Sequence, residues 1–367
     1  MLFDLQDTDA AHDFPWLAGT LSRIDAAARS FLQTEDVLTP DPVPIFVFHT
    51  PWQYADFLRQ HGLPAGGRGV YFRVDRGCAV AAFTDGIGEH QLASVLLHEG
   101  LHAMVDATFP NPIPHWLNEG MAQCLGDLWL REDGQTRTLL DPMRLRRLRT
   151  LIDDHPPVSF AAVTHTEHLD WLDPQRSTPG VVLRHYDTAW ALTYTLRRTK
   201  DPALQWAFTD WLTAMRLGGD ADAAWRELAR WLEALDIRCR RTFAQDPPPV
   251  AVNLDRLSFI AEALAVMAAH DMVMPKSIDE LRHRLRILGF ESAMVVPGRP
   301  KIVRPINDPA NYVYLSADGD PVPFDVFPGE DRRMPPEVAA PFAPGGPSIE
   351  WRVTSQRRLS WRIAMAG

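Results

Sequence analysis

Leu92 to Gln123 reads LASVLLHEGLHAMVDATFPNPIPHWLNEGMAQ. Between Leu92 and Val105 there is no Lys, Arg or Asp, and the only polar side chains are Ser94, His98, Glu99 and His102. Apolar residues flank them at helical spacing, which predicts a buried helix. Burying a carboxylate and two imidazoles costs roughly several kcal/mol unless something satisfies them. A metal ion does so. His98 and His102, four residues apart, put both rings on one helix face a turn apart. Glu99 is rotated about 100° from His98, which suits contact with a water on the metal better than ligation.

A zinc site normally takes three protein ligands when it is catalytic, so two histidines leave it one short. The third is expected from an element that returns across the same face. Phe109-Pro110-Asn111-Pro112-Ile113-Pro114 ends the first helix and turns the chain, because proline supplies no N–H and breaks helices. A second helix then starts near His115 and carries Glu119 and Gln123 on one face. Five-residue H-E-x-x-H matches arise by chance in ordinary helices. The Asn118-Glu119-Gly120 element after a proline turn is what makes the metal reading specific. A helix of satisfied core histidines explains none of the three polar groups.

His98-Glu99-Gly100-Leu101-His102 followed by Trp116-Leu117-Asn118-Glu119-Gly120-Met121-Ala122-Gln123 resembles the gluzincin metallopeptidases, and among them the bacterial peptidase-MA-like proteins. The resemblance implies that His98, His102 and Glu119 bind Zn2+ and that Glu99 is the general base. The implied function is a zinc-dependent metallohydrolase, a peptidase cleaving amide bonds of a peptide or protein substrate with a zinc-bound water activated by Glu99. Many gluzincins carry an aspartate four residues after the glutamate ligand; Gln123 stands there instead. The family's Y-x-x-A-W segment matches Tyr186 to Trp190, which makes Tyr186 the candidate oxyanion donor, with His185 second and an aromatic core face as the alternative. The amine-binding G-x-M-E-N sequence of clan aminopeptidases is missing, so endopeptidase or other amide hydrolysis is favoured over amino-terminal trimming. The likeness covers roughly residues 15–245 and is loose outside the two motifs. The rival function is a non-catalytic zinc-stabilised binding protein, its site closed by a fourth ligand such as His115 or a cysteine.

The chain has 367 residues, 46% hydrophobic, and a net charge of −10. Length suggests two domains, composition a real core, and charge no basic footprint for nucleic acid. Cys78, Cys124 and Cys239 form no disulfide framework and no C-x-x-C knuckle. The N-terminus lacks the apolar run of a signal peptide. The longest apolar run, Leu257 to Ala269, is interrupted by Glu262, so no membrane span is expected and the expected compartment is the cytoplasm.

The expected fold class is α+β: a mainly helical gluzincin-type domain over residues 1–245 with a small N-terminal sheet, and a smaller α+β domain over 250–367. Helices are expected at 16–33, 51–62, 181–198 and, broken by Gly218-Gly219, 202–243; strands at 43–49 and, around a turn at 75–77, within 69–83. The arginines of 143–153 (MRLRRLRTLID) read as a solvated basic face, and His165 and His168 as surface histidines. Gln245-Asp246-Pro247-Pro248-Pro249 reads as a stiff linker. Beyond it, an apolar helix at 254–270, a capping box at 277–280, strands at 312–315 and 322–327, and a terminal hairpin at 349–353 and 359–363 are expected. This part carries no chemical constellation and reads as a substrate-positioning module or a surface for a protein partner.

Overall fold

The computed structural model describes residues 3–5, 16–32, 42–63, 67–74, 77–130, 136–138, 140–153, 159–165, 179–244, 247–294, 302–329, 334–340, 346–353 and 359–364. The fold is mixed α+β. It begins with β1 (Phe3–Leu5), α1 (Trp16–Leu32), β2 (Val43–Phe48), α2 (Pro51–Gln60), β3 (Gly69–Val74) and β4 (Gly77–Phe83). The strands form one sheet in the order β1-β2-β4-β3, with β1/β2 and β2/β4 parallel and β3/β4 antiparallel. Alternation in β2 buries Val43, Ile45 and Val47 in the core that also holds Leu17, Leu21 and Ile24 of α1. The opposite face takes α2, whose Tyr54 and Leu58 pack on Phe72, Ala79 and Ala81. Thr50 and Gln53 cap α2 reciprocally, with Pro51 in its first turn. β3 is left at the edge of the sheet. The turn expected at 75–77 falls partly on Asp75 and Arg76, outside the described residues.

Next come α3 (Glu89–Thr108) and α4 (His115–Gly126), then β5 (Leu128–Leu130), β6 (Thr136–Thr138), α5 (Pro142–Asp153), α6 (Phe160–Thr164), α7 (Pro179–Arg198), α8 (Pro202–Leu217), α9 (Ala221–Ala229) and α10 (Leu232–Phe243). α3 and α4 are the two helices expected within Leu92 to Gln123. α8 stops at Gly218, in the left-handed region at φ 74, as the Gly218-Gly219 break predicts.

α5 corrects one expectation. Arg144 and Arg147 do not belong to a solvated face. Arg144 donates to Asp127 at 2.6 Å and stacks over Trp190, while Arg147 grips Asp187 through two bonds of 2.6 and 2.8 Å. Asp187 is 1% exposed, and Trp190 Nε1 also donates to Asp127. The acids sit on α7 and just past α4, so charges remote in sequence cancel inside the protein. Leu145 and Leu148 are buried as expected. His165 is exposed, and His168 lies outside the described residues.

The remainder is α11 (Pro249–Ala269), α12 (Ile278–Leu288) and short strands: β7 (Ser292–Met294), β8 (Ile302–Arg304), β9 (Val313–Leu315), β10 (Pro321–Pro323), β11 (Asp325–Phe327), β12 (Glu337–Ala339), β13 (Ser348–Val353) and β14 (Leu359–Ala364). α11 starts earlier than expected because Pro249 occupies its first turn, and Pro248 holds polyproline-type angles (φ −55, ψ 139); Gln245 and Asp246 of the linker lie outside the described residues. Ser277 caps α12 from its side chain, but Glu280 reaches back to the Lys276 amide, so the reciprocal box is shifted by one residue. Residues 322–327 are not one strand. Pro323, which has no N–H for a ladder, ends β10, and β11 joins a different sheet. The hairpin pairs Ile349 with Ile363, Trp351 with Trp361 and Val353 with Leu359. No helix among the described residues is long and apolar enough to cross a membrane.

Besides the small cluster under α2, two larger apolar clusters result, one drawn from Leu17 to Phe243 and one from Leu254 to Ile363. They meet at the head of α3. A Cβ on Gly88 would lie 2.7 Å from the Trp361 ring; Glu89 pairs with Arg352 at 2.9 Å, His90 meets Ser258 at 3.2 Å, and Gln91 donates to Glu262 at 3.0 Å. Burial lowers the His90 pKa to about 4. An unfolded imidazole takes its proton near 6.5, so between those values the unfolded state binds more protons. The stability His90 contributes is therefore complete above pH 6.5 and lost as pH falls toward 4, by up to roughly 1.4 kcal/mol per pH unit. Chemical denaturation from pH 7 to 4.5 should show a steeper acid limb for the native chain than for His90→Gln.

Candidate metal centre

α3 is helical because apolar residues fill three sides of it. Leu92, Leu96, Leu97, Leu101, Met104 and Val105 are all buried. Its N-cap is Gly88, whose amide is taken by the Gln91 side chain at 2.8 Å. The helix ends at Phe109, which is extended, just before Pro110. Pro114 then precedes α4, which returns alongside, and Ser94 Oγ ties α3 to the far end of α4 by donating to the Gly126 carbonyl at 2.6 Å.

This return brings three donors together. His98 Nε2 and His102 Nε2 are 3.3 Å apart, His98 Nε2 is 3.7 Å from Glu119 Oε2, and His102 Nε2 is 3.8 Å from Glu119 Oε1. Donors about 2.0–2.1 Å from a tetrahedral ion lie about 3.3–3.4 Å from one another, so the spacing is that of a ligand set. Among the described residues the group has these three members, and it could hold a metal ion.

The ring environments set the same requirement. His102 Nδ1 lies 3.0 Å from Asn118 Oδ1, an acceptor, so Nδ1 carries the proton and Nε2 presents a lone pair. The Ala122 carbonyl likewise hydrogen-bonds the His98 ring. Burial first, then the neighbouring His102 ring and the Arg144 charge, holds His98 well below the usual imidazole value, which keeps it neutral and able to ligate. Lone pairs on His98 and His102 therefore face each other and a carboxylate. That arrangement is repulsive until a cation occupies its centre.

Glu99 stands beside the group and is not part of it. Its Oε2 accepts the Tyr71 amide of β3 at 2.8 Å. Burial pushes its carboxyl up to about 7; His102 opposes the shift, Glu119 adds to it and the Tyr71 hydrogen bond opposes it. Solvent reaches the group mainly at His98, whose side chain keeps 26% of its exposure against 13% for Glu119 and 9% for His102.

α4 is placed by α7, which crosses it at Gly120. A Cβ there would meet Thr193 Oγ1 and sit 2.5 Å from the Ala189 carbonyl oxygen, so only glycine allows the crossing that sets Glu119 over α3. Tyr186 lies at the same crossing. Its carbonyl accepts from Gln123 Nε2 at 3.3 Å and its ring packs, half-buried, on the first core. Gln123 thus binds the α7 backbone, and the Asn118 side chain and Ala122 carbonyl orient the histidines. Of the other residues singled out, His185 is half-buried on α7 and His115 half-buried at the start of α4. Cys124 and Cys239 are buried and Cys78 half-buried. Asn118 was visible only as part of the second motif; the Tyr71 contact, 28 residues from Glu99, left no sequence signal.

No family model matches the chain, and no curated protein matches it significantly.

Hydrogen-bond partners of metal-ligating histidines typically change metal affinity by about 10- to 100-fold when removed. Asn118→Ala should therefore weaken binding by that amount in a chelator-competition titration, with the melting temperature of the metal-free protein little changed.

Proposed function

We propose that this chain is a zinc-dependent metallohydrolase of gluzincin type, a peptidase that cleaves amide bonds in peptide or protein substrates. The observation that carries the reading is a two-histidine, one-glutamate donor set, reached by solvent at His98, with a separate carboxylate at its flank. Such a donor set suits zinc, and zinc supplies Lewis acidity when bound, acidifying a water and polarising a carbonyl.

The remaining work falls to side chains of this protein. Glu99 keeps Oε2 on the Tyr71 amide and has Oε1 to take the proton of the attacking water and pass it to the leaving amine. The apolar helix around it strengthens each charge interaction. Just before β3 the Arg68 carbonyl accepts from the Phe83 amide, so Gly69, Tyr71 and Arg73 turn their backbone groups away from β4. The Tyr71 amide goes to Glu99, which leaves the groups of Gly69 and Arg73 and the Tyr71 carbonyl at the edge. An extended substrate pairs along that edge. Tyr186 is the proposed donor to the oxyanion, a role favoured by its place where α7 crosses the ligand helix. Residues 250–367 are proposed as a second unit that steadies α3 and offers a surface for a protein partner.

The test is metal analysis of the purified protein joined to cleavage of a mixed peptide library. Glu99→Gln should retain about one zinc per chain and lose about 10²- to 10⁴-fold in rate, the size of general acid–base contributions. Zinc retained without any cleavage, in the native chain as in Glu99→Gln, would make this a zinc-stabilised binding protein instead. Tyr186→Phe, in the same assay, should lower kcat on the order of 10²-fold with KM and zinc content unchanged; an unchanged kcat reduces Tyr186 to a packing residue.

A further inference from the structure

Tyr71 meets α3 at three points. Its amide donates to Glu99 Oε2 at 2.8 Å. Its ring centroid lies 6.1 Å from that of His102, tilted 40°. Its hydroxyl donates to Asp106 Oδ2. Glu99 and Asp106 are seven residues apart, two turns along one side of the helix. One residue of the edge strand therefore brackets the segment that carries the base and the second histidine. Asp106 is held from the same strand again by Arg73, whose Nε donates to Oδ2 at 2.7 Å.

The close approach has a sequence requirement. A Cβ on Gly69 would lie 2.5 Å from Val95 Cγ1 and 3.0 Å from Glu99 Cγ. Only with glycine there does β3 lie near enough to α3 for the Tyr71 amide to reach a side chain. A glutamate with three free torsions samples many orientations, and fixing one oxygen to a backbone donor removes most of them. The other oxygen then has a defined direction.

We propose that Tyr71 is the positioning residue for Glu99: its amide orients the carboxylate, and its hydroxyl on Asp106 holds the strand at the distance that makes this possible. The catalytic consequence rests on the metallohydrolase reading above. The structural part does not. The hydroxyl acts through the strand rather than on the reacting atoms, so its loss lowers kcat by more than it raises KM and spares the metal.

The experiment uses the full chain loaded with Zn2+ and three variants. Tyr71→Phe removes the hydroxyl and keeps ring and amide. Gly69→Ala lifts the strand and keeps Tyr71 whole, and Gly69→Ala/Val95→Ala restores most of the room. Each is measured for zinc content, for kcat and KM, and for hydrogen exchange at the residue 71 amide. Tyr71→Phe and Gly69→Ala should exchange that amide at least about tenfold faster and lose about 10- to 100-fold in kcat, the scale set by misplacing a reacting group. Zinc should stay at one per chain, kcat should fall by more than KM rises, since the same strand edge also receives substrate, and the double variant should recover exchange and kcat. Exchange unchanged in Tyr71→Phe would overturn the proposal. So would faster exchange with kcat intact, since the tie would then hold the strand and not the base. Should the native chain hydrolyse nothing, the metallohydrolase reading falls, while the exchange data still decide whether Tyr71 holds Glu99.

Discussion

Three lone-pair donors aimed at one point are the constraint around which this protein is arranged. Two imidazole nitrogens 3.3 Å apart and a carboxylate under 4 Å from each repel one another in the absence of a cation. The protein holds them there by using each helix to fix another. α4 is tied to α3 through Ser94 and Gly126 at one end and through Asn118 and His102 in the middle. α7 presses on α4 at Gly120, where even a methyl group has no room. A site assembled this way is preorganised. The ligand orientations come from backbone carbonyls and an amide side chain, groups that do not change charge with pH.

The same packing separates the donor trio from Glu99. His98 and Glu99 are adjacent in sequence but point to different neighbours, His98 inward toward Glu119 and Glu99 outward to the sheet. Helical geometry demands that divergence, since successive side chains are about 100° apart. The sheet edge supplies what Glu99 needs, a backbone N–H with no strand partner. An unpaired edge is usually a liability; here one of its donors serves the buried carboxylate.

Charge is handled differently away from the metal group. Asp127 and Asp187 are buried, and each is met by an arginine of α5 in close geometry. Removing one member of such a pair leaves an uncompensated charge, which costs more than the pair contributes. The network joins α5 and α7 to the end of α4, so it steadies the crossing that positions Glu119. At the opposite end of α3, Glu89, His90 and Gln91 are gripped from residues 258–352. α3 is thus held at its head by the cluster of residues 254–363 and along its length by that of residues 17–243.

Much of the local structure was legible in the chain because it depends on short-range periodicity. The two metal motifs, the helices bearing them, the proline turn between, the strands of the first sheet and the Trp351/Trp361 hairpin all follow from spacing and from residues that break or cap elements. The donor trio was legible too, since a four-residue step fixes one helix face and a proline turn returns the chain. What sequence could not decide was which charges meet across elements. Arg144 and Arg147 read as part of a surface face because their acids lie 17 and 40 residues away, just past α4 and on α7. Asn118 on His102, Tyr71 on Glu99 and the C-terminal grip on α3 arise in the same way, from crossings no local pattern encodes. Local propensity is a property of neighbours along the chain. Partner choice for a buried polar group is settled only when packing brings distant segments within hydrogen-bond reach and excludes the water that would otherwise take its place.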